Sequence, residues 1–467
     1  MTSDERLVDG VLLPGFTGAR IPDWLARAVD GGLAGVCLFS SNVGPDVAAL
    51  TRALHERRPG VLVASDEEGG TVTRLEHRLG SAWPGAAALG RLDDVAATEA
   101  VAAGMGAQCR AAGVDLALAP VADVNAEPDN PVIAIRSFGA TPELVARHTA
   151  AFVRGLQGAG VAAAAKHFPG HGSTTTDSHR ALPVVDADPA TLRARDLPPF
   201  AAAVEAGVRS VLTAHVLFPA LDDRPATMSP PLLGLLRAEL GFDGVVISDA
   251  VDMHAISRGV GRGPGAVAAV AAGVDLVCTG NPDYPDPYDD EAGYREVRDA
   301  LLAALADGTL SRERVADAGR RVAELADWVR EADPAVGTVG TDLGRDVVRR
   351  VAQVAGDVRI GRGAHVVDLT GPENVAAGQR DLRLVDVLRR HDPAVTTGPG
   401  VPGGRPLVAV VAGPSPALER LRAARPDTVC VHVGLPDGWT PPAPSVILWG
   451  DGRAQAEVAA ELLLGPP

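Results

Sequence analysis

The sequence predicts an α/β protein in which a (β/α)8 barrel is followed by a smaller α/β unit. Up to residue 330, eight short apolar runs alternate with amphipathic helical patterns. These runs are apolar on both faces, as are parallel strands covered by helices. The 467 residues exceed one typical domain and suffice for a large barrel and a smaller unit. A doubly wound sheet is the competing architecture, because periodicity alone does not show closure. The number of strands favours the barrel.

The predicted barrel strands follow one another in the order that repeated βα units require. Strands are predicted at residues 8–13, 34–39, 61–65, 116–120, 162–167, 210–215, 244–248 and 274–278. Amphipathic helices are predicted at residues 46–57, 93–112, 142–157, 191–206, 231–240, 262–272, 294–306 and 312–330. Regular alternation of this kind is typical of parallel sheets whose helices pack on the outside.

The tract EADPAVGTVGTDLG lacks hydrophobic periodicity and separates the two parts of the chain. We therefore predict a barrel domain at residues 1–332, a linker at 333–344 and a small α/β domain at 345–467. In the small domain we predict helices at residues 345–355, 416–424 and 454–464, and strands at 365–369, 406–411, 428–433 and 445–449. It contains no motif, so we expect it to pack on the barrel and to be dispensable for chemistry.

Charge and composition restrict the classes of partner. The net charge is −16, which argues against nucleic-acid binding because phosphate contacts require a basic face. No apolar stretch approaches the ~20 residues of a membrane span, and the first residues do not resemble a secretory signal. Cys37, Cys109, Cys278 and Cys430 are isolated, which favours reduced thiols. These features predict a cytoplasmic protein without nucleic-acid or membrane partners.

Titratable side chains concentrate where the predicted strands end. In a (β/α)8 barrel the active site forms at the carboxyl ends of the strands. Any one of these residues could instead be a helix cap or a buried structural group, but their accumulation at one edge predicts an active site. The residues are Asp66, Asp123, Lys166, His167, His215 and Asp249.

Lys166 is the only lysine, since the other 42 of the 43 basic residues are arginines. A compact ammonium fits a narrow polar site that a planar guanidinium does not. The surrounding segment KHFPGHG and the nearby His179 raise the alternative of a metal site. His167 and His171 are separated by Phe-Pro-Gly and cannot share a helix face, so we predict no metal and no cofactor.

Four segments, in the family's order, resemble glycoside hydrolase family 3. They are SDEEGGTVTRL, NPVIAIRSFG, KHFPGHG followed by DSH, and GFDGVVISDAVDM. The DSH tripeptide is similar to that of the exo-β-N-acetylglucosaminidase branch. The resemblance covers residues 5–330 and implies a (β/α)8 barrel and a small-molecule glycoside as substrate.

The resemblance also implies roles for single residues. Asp249 would be the nucleophile of a retaining reaction, and His179, held by Asp177, would be the general acid/base. A histidine can serve because imidazole titrates near neutral pH and a neighbouring carboxylate fixes its tautomer. The residues that would bind the terminal β-linked N-acetylglucosamine are Asp66, Arg74, Arg136, Lys166, His167 and His171, the last as part of the pocket wall.

Two departures from the family pattern leave the specificity open. Thr71 stands where members often have a second arginine, and Asp249–Met253 reads DAVDM instead of DDLSM. The acceptor is open as well, because a neutral imidazole repels phosphate less than a carboxylate does. The alternatives are a β-N-acetylglucosaminide phosphorylase, a metal-dependent hydrolase on the same barrel, and a sugar-binding protein without activity. Muropeptides, chitooligosaccharides and other glycosides all remain candidate substrates, and the oligomeric state is not predicted.

Overall fold

The computed structural model describes residues 2–333, 340–371, 375–377 and 383–465. Its first part contains eight parallel strands that follow one another along the chain. They are β1 (Leu12–Pro14), β2 (Gly35–Leu38), β3 (Leu62–Ser65), β4 (Leu116–Ala117), β5 (Ala162–Phe168), β6 (Ser210–Thr213), β7 (Val245–Ile247) and β8 (Val277–Gly280).

These eight strands close into a barrel. Strands β2 to β7 pair in sequence order, and β1 pairs in parallel with β8. Bridges between Gly15 and Cys37 and between Ile247 and Leu276 join β1 to β2 and β7 to β8. The predicted (β/α)8 barrel is therefore confirmed, and the doubly wound sheet is excluded because the ring has no open edge.

Alternating side chains of the strands fill two layers, as the period of two in a strand requires. In β5, Ala162 and Ala164 belong to the cluster inside the barrel, together with Leu116 and Leu212. The intervening alanines of β5 belong to the larger cluster between strands and helices. Both faces are thus buried, which is why the strands are apolar throughout.

Most of the predicted helices are found with shifted ends, but those at Ser3–Asp9, Asp23–Gly31, Ala86–Leu92 and His254–Ser257 were not predicted. The helices surround the barrel. They span Ser3–Asp9, Asp23–Gly31, Val47–Arg57, Ala86–Leu92, Val95–Ala111, Pro142–Gly158, Pro189–Thr191, Leu197–Glu205, Pro230–Gly234, His254–Ser257, Arg262–Ala272, Asp290–Asp307 and Arg312–Glu331. The prediction of a strand at 8–13 is wrong at its start, because Thr2 and Glu5 form a capping box that begins a helix there. In the described part of the chain, no helix is long and apolar enough to cross a membrane.

The second part contains a six-stranded sheet with a core of its own. Its strands are β9 (Gln353–Ala355), β10 (His365–Asp368), β11 (Thr396–Thr397), β12 (Leu407–Val411), β13 (Val429–His432) and β14 (Ser445–Ile447). Their order is β9-β14-β13-β12-β10-β11, and only β9 is antiparallel to its neighbour. The helices are Asp342–Val351, Arg383–His391, Pro416–Ala424 and Arg453–Leu464, with a single turn at Val375–Ala377.

The prediction of one helix at 345–355 is wrong in its last part. The helix ends at Val351, and residues 353–355 form β9, which pairs with β14. Residues 334–339 of the predicted linker lie outside the described residues, and the helix that follows begins at Asp342, inside the predicted linker. The proposed division of the chain into domains remains a prediction.

The second sheet unit touches the barrel beside the loop that follows β3. Arg453 forms an ion pair with Glu76, and Arg350 lies 3.2 Å from Asp94. Gly344 packs against the carbonyl of Ala82 so closely that a Cβ there would stand 2.1 Å from the oxygen. These contacts fix the second unit next to a loop that also lines the cavity described below.

Candidate active site

A cavity of about 360 Å³ lies at the carboxyl ends of the barrel strands. Eight of the nine residues to which the resemblance assigns a role line it, namely Asp66, Arg74, Arg136, Lys166, His167, His171, His179 and Asp249. The ninth, Asp177, contacts His179 through a hydrogen bond. The structure thus brings residues from four strand ends to a single site.

A short hairpin after β3 presents Asp66 and Glu68 to this cavity. Its strands are Glu67–Gly69 and Val72–Thr73. The buried carboxylate of Glu67 accepts hydrogen bonds from the Thr73 hydroxyl at 2.7 Å and from the backbone N–H groups that follow it. Glu67 therefore holds the two hairpin strands together, and its neighbours on either side face the opposite way, into the cavity.

Lys166 lies between two carboxylates on the cavity floor. Its Nζ is 2.8 Å from Oδ1 of Asp66 and 2.6 Å from Oε1 of Glu68. Arg74 binds the other oxygen of Asp66 at 3.0 Å, and Arg136 binds both oxygens of Glu68 at 2.8 and 2.9 Å. The five side chains form one network of charge-assisted hydrogen bonds, which holds each of them in a fixed position.

Both carboxyl groups of this network are ionised at neutral pH. Burial disfavours the charge of Glu68, but Arg136 and Lys166 outweigh it and lower the pKa to about 2. Burial also disfavours the charge of Asp66, but Lys166 and Arg74 outweigh this effect and hold the pKa of Asp66 well below the usual range. The floor therefore presents fixed charges of both signs, which suits the recognition of clustered hydroxyl groups.

Glu68 was not among the residues predicted for the site. The sequence contained a usable signal, because residues 66 and 68 lie two apart in an extended segment and therefore point to the same side. Its burial with Lys166 and Arg136 shows that it belongs to the same floor.

His167 is oriented by a buried carboxylate. Its Nδ1 is 2.7 Å from Oδ2 of Asp123, which has no exposed surface. Asp123 also accepts a hydrogen bond of 2.6 Å from the backbone N–H of His171. This arrangement leaves Nε2 of His167 to face a ligand, and it makes Asp123 a positioning residue for the KHFPGHG segment.

His171 forms part of the wall and has both ring nitrogens engaged. Nδ1 lies 3.0 Å from the hydroxyl of Thr174, and Nε2 lies 3.1 Å from that of Ser178. Burial lowers the pKa of His171 to about 4, so the ring is neutral at neutral pH. Its contacts shape the loop that carries His179.

Asp249 follows β7 and faces the cavity next to three imidazoles. One carboxylate oxygen accepts a hydrogen bond of 2.8 Å from the backbone N–H of Ala250. Burial disfavours the charge, but His215, His167 and His179 outweigh it and hold the pKa of Asp249 below its usual range. The carboxylate is thus ionised at neutral pH, as a nucleophile must be.

Asp177 and His179 form a hydrogen-bonded pair on the loop between β5 and the next helix. Oδ1 of Asp177 accepts from the backbone N–H of His179 at 2.9 Å and lies 2.8 Å from Nδ1 of its ring. Burial disfavours the charge of Asp177, but the hydrogen bond from His179 outweighs it and lowers the pKa. Nε2 of His179 is therefore the nitrogen available for proton transfer in the cavity.

The second sheet unit also reaches the cavity. Val375 and Ala376 line it, and Nη2 of Arg74 donates a hydrogen bond of 3.0 Å to the carbonyl of Ala376. The same Nη2 binds Asp66. The expectation that this unit only packs on the barrel is therefore incomplete. A motif search could not find this contact, because it is made by a backbone carbonyl and not by a side chain.

The loops after β7 and β8 line the outer part of the cavity. They contribute Asp252, His254, Arg258, Arg262 and Tyr288, none of which was predicted for the site. Within the described ranges, no group of three or more His, Cys, Asp or Glu side chains is placed to hold a metal ion.

Comparison with protein families identifies one match. The profile described as "Glycosyl hydrolase family 3 N terminal domain" matches residues 26–325. "Beta-hexosaminidase" of Xylella fastidiosa is 39% identical over 317 residues, which cover 64% of this chain and 92% of that protein. "Beta-hexosaminidase A" of Pseudoalteromonas piscicida is 33% identical over 345 residues, but the chain spans only 57% of its length.

A solved structure matches both parts of the chain. The glycoside hydrolase family 3 β-N-acetylglucosaminidase of Paenibacillus sp. superimposes with a TM-score of 0.81 at 30% identity, covering 100% of this chain and 97% of that one. The similarity therefore extends through the second sheet unit as well as the barrel.

Proposed function

Because the chain belongs to glycoside hydrolase family 3, we propose that it is a β-N-acetylhexosaminidase that removes terminal, non-reducing β-linked N-acetylglucosamine. The names of its relatives support this substrate class. The observation that carries the proposal is the juxtaposition, in one cavity, of the ionised Asp249, the Asp177–His179 pair and the charged floor around Lys166.

The reaction proceeds with retention of configuration, in two displacements. Asp249 attacks the anomeric carbon while the imidazolium of His179 donates its proton to the departing glycosidic oxygen. This gives a glycosyl ester of Asp249 and a neutral imidazole. His179 then takes a proton from water, the hydroxyl attacks the anomeric carbon, and Asp249 leaves as a carboxylate.

Asp177 keeps His179 competent in both steps. Its carboxylate accepts the Nδ1 proton, so that Nε2 carries or accepts the transferred proton, and its charge stabilises the imidazolium. The floor residues Asp66, Lys166, Arg74, Arg136 and His167 bind the sugar hydroxyls. A closed floor accepts only the end of a glycan, which accounts for the exo mode of action.

The four cysteines are free and buried, which suits a reducing compartment. We therefore propose a cytoplasmic setting, with small fragments of cell-wall glycans as substrates. A neutral imidazole also admits phosphate in the second step, so water and phosphate are both tested as acceptors below.

The nucleophile is tested by trapping. A 2-deoxy-2-fluoro glycosyl inactivator should form a stable ester on the peptide that contains Asp249, detected by mass spectrometry. Asp249→Ala should remain folded and lose at least roughly 10⁴-fold in kcat, the scale for removal of a nucleophile. NMR of the first product, with and without phosphate, should show the β anomer of the free sugar or of its 1-phosphate. An α product, or a label on another carboxylate, would refute the retaining mechanism at Asp249.

A further inference from the structure

The cavity has a buried floor and an exposed mouth. On the floor, Lys166 exposes only 3% of its side chain, whereas Arg258 at the mouth exposes 69%. The terminal sugar of a substrate must reach the floor, since that is where the charged network lies. The mouth, built from the loops after β7 and β8, therefore surrounds the leaving part of the substrate, the aglycone.

Arg262 lines the cavity at this mouth. Its guanidinium lies over the ring of Tyr288, 3.8 Å from the ring centre. Among the residues that the structure describes, none forms a hydrogen bond or an ion pair with it. This contact holds the guanidinium over the ring but uses none of its N–H donors.

The two acidic groups that line the mouth, Asp252 and Asp286, make their direct polar contacts with other residues. Asp252 accepts hydrogen bonds from the backbone N–H of Asn281 at 2.8 Å and from the hydroxyl of Tyr288 at 3.2 Å. Burial raises the pKa of Asp252 to about 7 against the opposing effect of the Arg262 charge, so Asp252 carries only part of a negative charge at neutral pH. Asp286 pairs with His254 and lies 3.9 Å from Arg258. Among the residues that the structure describes, the positive charge of Arg262 is thus offset only in part.

The position of Arg262 in its helix increases this imbalance. It is the first residue of the helix Arg262–Ala272, whose first turn contains no acidic residue. A cation at the amino end of a helix opposes the helix dipole and is destabilising. The unfavourable position is offset if a negatively charged ligand group binds there.

We propose that Arg262, stacked on Tyr288, forms an oxyanion-binding subsite for the aglycone, so that the preferred substrates carry a carboxylate on the group attached to the terminal sugar. This inference rests on the proposed function. The proposal also gives a role to Asp252 of the segment DAVDM, which differs from the family pattern, because Asp252 accepts a hydrogen bond from the hydroxyl of Tyr288 and so positions it.

A second oxyanion, inorganic phosphate, has the same chemistry as the carboxylate of an aglycone. Inorganic phosphate entering after the aglycone has left would occupy the same donors. A phosphate oxygen would then attack the anomeric carbon of the glycosyl ester, and Asp249 would leave as a carboxylate. The experiment therefore needs one arm for each source.

The first arm compares two aryl β-N-acetylglucosaminides that differ only in charge, the 4-(carboxymethyl)phenyl and the 4-(carbamoylmethyl)phenyl glycosides. The methylene group insulates the phenol, so that the two leaving groups are matched. In Arg262→Gln, the ratio of kcat/KM for the charged over the neutral substrate should fall by roughly tenfold, mainly through KM. Arg262→Lys should recover part of the ratio, because it restores the charge but not the stacked fork.

The matched control is Arg295→Gln, which removes an exposed arginine from the adjacent helix Asp290–Asp307. It changes the net charge equally and should leave the ratio unaltered. Circular dichroism and thermal unfolding of each variant show that it is folded.

The second arm follows formation of N-acetylglucosamine 1-phosphate by phosphorus NMR in phosphate buffer. If the charge ratio is unaltered but Arg262→Gln loses the 1-phosphate, the oxyanion is phosphate and the subsite is still supported. If folded Arg262→Gln alters neither readout, the subsite is refuted. Turnover of the neutral substrate by the unaltered protein reports separately on the proposed function.

Discussion

At the scale of single residues, the floor of the cavity has an excess of one positive charge. Three cations, Lys166, Arg74 and Arg136, meet two carboxylates, Asp66 and Glu68. Each carboxylate bridges Lys166 to one arginine. A change in any of the five therefore alters the position or the charge of its neighbours, and effects on sugar binding should exceed those of the single contact removed.

Lys166→Arg should be a severe change although it conserves the charge. The ammonium fits between two carboxylates at 2.6 and 2.8 Å with only 3% of the side chain exposed, and a guanidinium is larger and planar. We expect kcat/KM to fall roughly 30-fold or more, which corresponds to a loss of about 2 kcal/mol in transition-state stabilisation. Arg295→Lys, an exchange on the exposed surface, is the control. Kinetics like those of the unaltered protein would place Lys166 outside the binding site.

Glu68→Gln should change how stability depends on pH. The pKa of Glu68 is lowered to about 2, so its contribution is present above the unfolded value of about 4.5 and is lost as the pH falls towards 2. The difference in free energy of unfolding between the two proteins should be roughly 3 kcal/mol at neutral pH and shrink below pH 4.5. The control Glu324→Gln, in an exposed pair, should differ little at any pH. A constant difference from pH 7 to 2.5 would contradict this assignment.

Asp66, Lys166 and His167 were predictable because they lie at strand ends, and strand ends converge in a barrel. Arg74 and Arg136 were found only through the family resemblance, and Glu68 was missed. Arg262 and Tyr288 were not predictable in this way. Arg262 begins the helix after β7 and Tyr288 lies on the loop after β8, so their contact depends on the conformations of two different βα units, which no periodicity encodes. The same holds for Asp123, whose place after β4 was recognised but whose partner, His167, was not.

At the scale of elements, the loop between β5 and the next helix is tightly packed at its start and partly exposed at His179. Gly172 packs so closely on the carbonyl of Val124 that a Cβ would stand 1.9 Å from the oxygen, which fixes the start of the loop. The buried ring of His171 forms hydrogen bonds with the hydroxyls of Thr174 and Ser178 in the same loop. The side chain of His179 remains 22% exposed. The loop therefore carries the proposed acid/base residue on a segment whose start is fixed by close packing.

Removal of this group should produce a defect that depends on the leaving group. A general acid matters most for a poor leaving group, so His179→Ala should lose roughly 10²–10⁴-fold on a disaccharide and far less on nitrophenyl glycosides. Azide, which needs no base, should restore turnover on the nitrophenyl substrate and give a β-glycosyl azide. Asp177→Asn should be milder, and His391→Ala, on an exposed surface of the second unit, should behave like the unaltered protein. Equal losses on both substrates without azide rescue would assign the role elsewhere.

Most helices and strands could be predicted, and of the two errors one has a local and the other a non-local cause. The capping box at Thr2 and Glu5 turns the residues before β1 into a helix. Residues 353–355 complete a sheet through pairing with a strand about ninety residues later, which a local pattern cannot reveal.

At the scale of the whole molecule, the second sheet unit completes the floor from outside the barrel. The carbonyl of Ala376 binds Arg74, which binds Asp66, which binds Lys166. The residues proposed to carry the chemistry, Asp249, His179 and Asp177, all belong to the barrel. Affinity for the sugar and the chemical step should therefore respond differently to loss of the second unit.

A chain ending at residue 332 should keep much of its kcat on a nitrophenyl glycoside and show a raised KM, by roughly tenfold, the value of one or two lost polar contacts. Circular dichroism must show that the shortened chain is folded. Arg350→Gln, which removes the contact with Asp94 at the interface, serves as a control and should leave KM unaltered. A folded truncated chain with an unaltered KM would show that Ala376 does not support the floor.

Nη2 of Arg74 contacts both Asp66 in the sugar site and Ala376 in the second unit. Sugar binding and association of the two units are therefore coupled. If docking of the second unit tightens the grip on a sugar, thermodynamic linkage requires a bound sugar to tighten docking by the same factor. A bound glycan would then stabilise the contact between the two units, and the ligand-free protein would hold them together less tightly than the ligand-bound one.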